Sequence, residues 1–216
     1  MGHSASFAGV VLAAGESSRM GRDKALLPWP PASATAVPSA DLAPRDTFLS
    51  AAIQSLSLST DFIVVVVGNN EPSLTPVVYA NGAFLAINPD PERGQFSSLQ
   101  VGLREVLTRG RDAAMITLVD RPPASRDSVQ LLREAFEAAP QSIWAVVPEH
   151  SGKHGHPFIA GRDLMELFLR APATASARDL MHQNESRIQY VPVSDPAVAM
   201  NINTPEEYSA LLAKSL

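Results

Sequence analysis

Phe7-Ala8-Gly9-Val10-Val11-Leu12-Ala13 decides the reading of the fold, because this short apolar run is closed at once by a polar, glycine-bearing loop from Gly15 to Gly21. Such a run, stopped by glycine, reads as a strand buried on both faces. Working outward, helical spacing at Phe48, Ile53 and Leu56 marks a helix over residues 47–57, and Phe62-Ile63-Val64-Val65-Val66-Val67-Gly68 is a second buried strand. The alternation continues with a short strand over 84–87 and a helix over 97–108 that carries Leu99, Leu103, Val106 and Leu107 on one side. A strand over 115–119 then ends at Asp120, a helix over 125–138 starts at a capping Ser125, and a strand follows over 143–147. Repeated strand–helix alternation with apolar strands predicts an α/β protein with a three-layer α/β/α, Rossmann-like fold and a mainly parallel central sheet. Ligands in such sheets sit at the carboxyl ends of the strands.

Beyond Glu149 the rhythm changes to a Gly/His loop, helices over 162–169 and 177–182, a strand over 188–193 and a last extended segment over 198–203. Thr204-Pro205-Glu206-Glu207 opens a closing helix, with a capping hydroxyl, a proline at the first helical position and carboxylates in the first turn. Residues 28–45 are rich in Pro, Ala and Ser and have no period, so they read as a surface excursion. A length of 216 residues fits a single domain over 1–216 that carries this insertion.

Composition excludes several classes of function. No apolar run approaches the roughly 20 residues of a membrane helix, and residues 1–4 do not open a secretory signal, so a soluble, cytoplasmic protein is expected. The absence of cysteine removes disulfides and thiolate metal sites. A net charge of -5 offers polyanions no general attraction, which argues against nucleic acid as a partner.

Leu12-Ala13-Ala14-Gly15-Glu16-Ser17-Ser18-Arg19-Met20-Gly21-Arg22-Asp23-Lys24 carries the chemistry. Its small residues let backbone approach a base and its phosphates, while Arg19 and Lys24 can neutralise a triphosphate. It is neither a Walker A loop, which needs Gly-Lys followed by Ser or Thr, nor a dinucleotide fingerprint, which needs three spaced glycines. Asp120, at a strand end, suits a divalent cation, although Asp shortly before Pro122 is also a common turn former. Asn201 and Asn203 alternate along the expected strand and would point the same way, toward a metal or a second substrate, with helix entry as the plainer role of Asn203. Ser97 and Ser98 open a helix, where they suit an anion or a base edge, or simply cap it.

The loop resembles the signature loop of the MobA-like NTP transferases, and further blocks resemble that family in order and spacing: Asn88-Pro89-Asp90 to Gly94-Gln95-Phe96-Ser97-Ser98-Leu99, Val119-Asp120-Arg121-Pro122, Gly155-His156-Pro157 and Asn201-Ile202-Asn203-Thr204-Pro205-Glu206. Within the family the resemblance is to molybdopterin cytidylyltransferases, which combine Ala-Ala-Gly, Gly-x-x-Ser-Ser-Leu and Gly-His-Pro. It implies a nucleotidyltransferase that moves CMP from CTP to the terminal phosphate of molybdopterin or a related acceptor, with Mg²⁺ or Mn²⁺, and a molybdoenzyme maturation protein as a further partner. It places the nucleotide on Leu12, Ala13, Ala14, Gly15, Arg19, Lys24, Ser97, Ser98 and His156, with catalysis on Arg19, Lys24 and Asp120. The metal would fall to Asp120 with Asn201 or Asn203, and residues 150–200 would face the acceptor.

The chain departs from the cytidylyl pattern in two places. Asn201 and Asn203 stand where many relatives have Asp, and neutral amides hold Mg²⁺ more weakly than carboxylates do. Arg121-Pro122-Pro123 stands where relatives usually have Gln-Pro-Leu, so Arg121 either adds charge for an acceptor phosphate or faces solvent. Lys153, His154 and His156 read as acceptor contacts or as a solvated loop, and His150, His154 and His156 lack the rigid spacing of a zinc site. A sugar-phosphate nucleotidyltransferase and a non-catalytic nucleotide- or pterin-binding maturation chaperone remain as alternatives.

Overall fold

The computed structural model describes residues 5–15, 23–29, 46–172 and 174–214. Strands β1 (Phe7–Leu12), β2 (Phe62–Val67), β3 (Phe84–Ile87) and β4 (Ala113–Leu118) pair in parallel in the order β3-β2-β1-β4. Their carboxyl ends therefore share one edge. The sheet continues through β7 (Phe158–Gly161), β5 (Ala145–His150) and the two-residue β6 (Lys153–His154), while β8 (Ile188–Pro192) pairs with β5 in parallel. Period-two alternation sorts β1 between two cores: Phe7 and Val11 face one, and Ala8, Val10 and Leu12 the other.

Helices cover both faces. Against the first lie α1 (Phe48–Ser57), α2 (Glu71–Ala80) and α4 (Arg126–Ala138), through Leu49, Leu56, Leu74, Val78, Val129 and Leu132. Against the second lie α3 (Gln95–Thr108), α5 (Arg162–Arg170) and α6 (Ala177–Gln183). Gly102 lets α3 settle on the sheet, since a Cβ there would stand 2.7 Å from Val10 and 3.0 Å from Val66. The expected caps are present, with Ser125 accepting from Ser128 N at the start of α4 and Thr204 accepting from Glu207 N at the start of α7 (Pro205–Lys214).

Three features differ from the sequence expectation. Residues 158–161, read as part of a loop and helix entry, form β7, which lies antiparallel to both β4 and β5. The run is too short, and too close to the next helix, to show a period. Residues 198–203 are not a strand, because Pro196–Ala199 forms a 3-10 turn capped by Asp195 and the chain beyond it makes no ladder. Helix α2 is masked by Pro72, tolerated in its first turn, and by Pro76, which interrupts its hydrogen bonding. Of the 28–45 insertion, residues 30–45 lie outside the described residues; its ends are closed by Trp29 N donating to Asp46 O at 2.7 Å and by a bridge between Pro28 and Thr47.

Candidate active site

The end of β1 is held from below. Ala13 N donates to Val66 O at 2.8 Å, and Ala13 O accepts from Asn70 Nδ2 at 2.9 Å, so Ala13 sits in the core while Ala14 and Gly15 reach the cleft. The same Asn70 nitrogen donates to Asp23 Oδ2 at 2.7 Å, and its oxygen accepts from Gly68 N at 3.1 Å. Asp23 Oδ1 then accepts from Ala25 N at 3.0 Å and caps the short turn that begins at Lys24. Lys24 is thereby buried, with its ammonium 3.8 Å from Asp120 Oδ2 and 3.4 Å from Asn203 Oδ1. Sequence reasoning missed Asn70; its signal was an amide two residues past Gly68, just beyond the end of a parallel strand.

Asn88 is a second clamp; the sequence marked it only as the opening of a family block and gave it no role. Its Nδ2 donates to the hydroxyls of Ser97 and Ser98, both at 2.9 Å, inside the fold. Ser97 also donates to Gly94 O at 2.8 Å, which leaves Ser98 as the serine on the cleft wall. Gly94, with φ of 92°, precedes helix α3, which has no side-chain cap; Ser97 N donates to Gly94 O at 3.1 Å, and the Gln95 and Phe96 N–H groups ahead of it suit an anion. The resulting cleft of about 320 Å³ is lined by Leu12, Ala14, Gly15, Lys24, Ser98 and Asp120, among others.

A strap over residues 195–203 ties this cleft to its neighbour. The Asp195 carboxylate accepts from Ser125 N at 2.7 Å and Ala197 N at 2.9 Å, which anchors the strap at the start of α4. Val198 O accepts from His156 N at 2.9 Å and from Arg121 Nη1 at 3.2 Å, and Ile202 N donates to Asp120 O at 2.9 Å. Ile202 also packs with Leu27 and Phe48, with Tyr208 and Trp29 against them, which brings residues 24–29 beside residues 201–203. Only Asn203 of the two asparagines meets Lys24; Asn201 is exposed, because without a strand the two side chains need not share a face. Arg19 lies outside the described residues.

Three side-chain atoms at this seam are buried with no hydrogen-bond partner among the described residues: Asp120 Oδ1, Arg121 Nε and His156 Nδ1. Burial lowers the pKa of Arg121, opposed by Asp120. Burial first, and the Arg121 charge second, push His156 down to about 3, so the imidazole is neutral near pH 7. Arg121 and His156 belong to a second cleft of about 1180 Å³, floored by Phe96, Phe158 and Tyr190 and meeting the first at Leu12, Gln95 and Leu118. Lys153 and His154 are exposed on its rim, with the His154 ring stacked on Tyr190 at 3.9 Å. Among the described residues no group of three His, Cys, Asp or Glu residues could hold a metal, so the three histidines do not assemble a zinc site.

The model of the MobA-like NTP transferase domain matches residues 9–188, and the chain belongs to this family of nucleotidyltransferases. It is similar to the molybdenum cofactor cytidylyltransferase of Escherichia coli (strain K12), 25% identical over 201 residues covering 92% of each chain. It is also similar to the probable molybdenum cofactor guanylyltransferase of Mycobacterium avium (strain 104), 30% identical over 215 residues covering 98% of each. Its fold is similar to the crystal structure of Rv0371c from Mycobacterium tuberculosis H37Rv, with a TM-score of 0.76 at 24% identity over 98% of this chain and 99% of that one. That protein has also been solved as a complex with manganese. Among the described residues no helix is long and apolar enough to cross a membrane.

Proposed function

We propose that this chain transfers CMP from CTP to the terminal phosphate of molybdopterin or a related phosphorylated acceptor, releasing pyrophosphate. The observation that carries the reading is the buried Lys24 ammonium facing the Asp120 carboxylate across a cleft walled by Ala14, Gly15 and Ser98. Leu12, Ala14 and Gly15 receive the base and sugar through backbone and small side chains. Lys24 and the start of α3 counter the triphosphate charge, together with Arg19, which the family resemblance assigns to the phosphates and which lies outside the described residues. An acceptor phosphate oxygen attacks the α-phosphorus, the bond from that phosphorus to the bridging oxygen breaks, and pyrophosphate leaves. The nucleophile is already ionised at neutral pH, so no strong general base is required.

The donor set suits a hard cation. Asp120 offers a carboxylate whose Oδ1 is buried with no hydrogen-bond partner among the described residues, and Mg²⁺ is commonly held by one or two carboxylates together with substrate phosphates. Asp120, with Asn203 as a neutral oxygen, would hold Mg²⁺ or Mn²⁺, which supplies positive charge against the triphosphate when bound. The manganese complex of a structural relative supports a divalent ion.

The choice of donor rests on Ala14. Its methyl group on the cleft wall crowds a purine more than a pyrimidine. The guanylyltransferase relatives favour GTP as a second reading. Pyrophosphate release with Mg²⁺, each of CTP, UTP, GTP and ATP, and either molybdopterin or a panel of sugar phosphates decides between them. CTP with molybdopterin as the productive pair is expected. GTP as the better donor overturns the choice of base, and a sugar phosphate as sole acceptor replaces the acceptor. Silence throughout, with CTP binding intact, favours a maturation chaperone that binds without turnover.

A further inference from the structure

Arg121 and His156 come from different loops and are both tied to one carbonyl, Val198 O, by an Arg121 Nη1 bond of 3.2 Å and a His156 backbone N–H bond of 2.9 Å. That shared anchor leaves Arg121 Nε and His156 Nδ1 buried on the wall of the larger cleft with no hydrogen-bond partner among the described residues. A buried polar atom without a partner is unfavourable, and two of them on residues joined through one carbonyl create a demand for a partner from outside the fold. The guanidinium supplies a fixed donor and a permanent positive charge, and the neutral imidazole supplies a second donor when its proton sits on Nδ1. The pair thus offers two donors with one charge. It lies immediately after Asp120 in the chain, where the larger cleft meets the smaller one.

We infer that Arg121 Nε and His156 Nδ1 form a two-donor seat for a phosphate monoester on the acceptor, with Arg121 as a specificity-determining residue of this chain. The inference rests on the nucleotidyltransfer reading and deepens it. Phosphate fits better than carboxylate for a geometric reason: a terminal phosphate has three oxygens, so two can satisfy the seat while the third faces the nucleotide cleft. A carboxylate that filled both donors would have no oxygen left to react. Phe96, Phe158 and Tyr190 are among the residues lining this cleft of about 1180 Å³, so it offers apolar surface to the ring system of an acceptor as well as polar groups to its phosphate. Arginine, where cytidylyl relatives usually carry glutamine, adds to this seat a charge that theirs would lack.

Inorganic phosphate is the probe for the seat, read by the ring-nitrogen NMR signals of His156, which are assigned by their loss in His156→Gln. Saturable movement of those signals with phosphate and none with acetate is expected, with affinity falling by about tenfold or more in Arg121→Gln. Arg121→Lys keeps the charge without the Nε donor, and is expected to restore only part of that affinity, which separates a phosphate contact from a folding defect. In turnover with molybdopterin, Arg121→Gln is expected to raise the acceptor KM by about tenfold while the CTP KM stays within about twofold. The inference is overturned if phosphate leaves His156 unmoved, if Arg121→Gln binds phosphate as tightly as the wild type, or if both KM values rise together. Phosphate bound at His156 with no turnover from any NTP would instead overturn the nucleotidyltransfer reading and leave the seat standing.

Discussion

The smaller cleft is framed by polar chains closed within the fold: Asp23, Asn70 and Ala13 on one side, and Asn88 with Ser97 and Ser98 on the other. The larger cleft depends on the strap from Asp195 to Asn203, which reaches Ser125, Arg121, His156, Asp120 and Lys24 in turn. In the first region the amides are satisfied inside the fold and the backbone is set before a ligand arrives. In the second, one carbonyl receives the Arg121 guanidinium and the His156 backbone N–H, and Arg121 Nε and His156 Nδ1 stay buried with no hydrogen-bond partner among the described residues. On the proposed reading, the two substrates meet different kinds of surface: a prepared backbone mould for the nucleotide, and a polar seat completed by the acceptor phosphate. Asp120 belongs to both, since its carboxylate faces Lys24 and its carbonyl receives the strap.

Breaking the shared residue should have the largest effect. Asp120→Ala is expected to lower kcat for pyrophosphate release by about 10³-fold or more, while the melting temperature stays close to wild type. Retained turnover would show that the carboxylate is only a turn former. Lys24→Ala is expected to lower turnover by about 10²-fold and to raise the CTP KM, because it removes charge stabilisation from the nucleotide side. A rise in the acceptor KM alone would place Lys24 in the other region.

Glycines sharpen the comparison through stability. A Cβ at Gly155 would stand 2.2 Å from Val198 O, whereas nothing lies within 4 Å of one at Gly15. Gly155→Ala should therefore push the strap away and destabilise the protein by about 1–3 kcal/mol in urea unfolding. Gly15→Ala should stay within about 0.5 kcal/mol. Equal effects would mean that the strap yields without strain.

The pH dependence from His156 gives a further test of the second region. Its pKa is lowered to about 3 in the fold, so the unfolded chain binds a proton from about pH 6.5 downward while the native chain does not. Its contribution to stability is present above pH 6.5 and is lost as the pH falls toward 3, at up to about 1.4 kcal/mol per unit. Comparing denaturation at pH 7.5 and pH 5 should show a steeper loss in the wild type than in His156→Gln. Parallel curves would mean that the imidazole is not held neutral.

The residues alone determined the parallel half of this protein. β1 and β2 are apolar runs that end at glycine-bearing loops, and the α/β alternation sets their carboxyl ends on one edge, so Lys24 and Asp120 could be named from local pattern and punctuation. Tertiary structure alone decided the rest. It inserted β7 antiparallel between β4 and β5, turned residues 198–203 from a supposed strand into a strap, and brought Lys24 to Asn203 across 179 positions. It also gave Asn70 and Asn88 their clamping roles and left Arg121 and His156 joined through Val198 O. The physical reason is range: burial on a strand or helix repeats every two or about four residues and so leaves a trace in the chain. A single hydrogen bond between distant loops repeats nowhere, and becomes visible only when the sheet has brought both ends together.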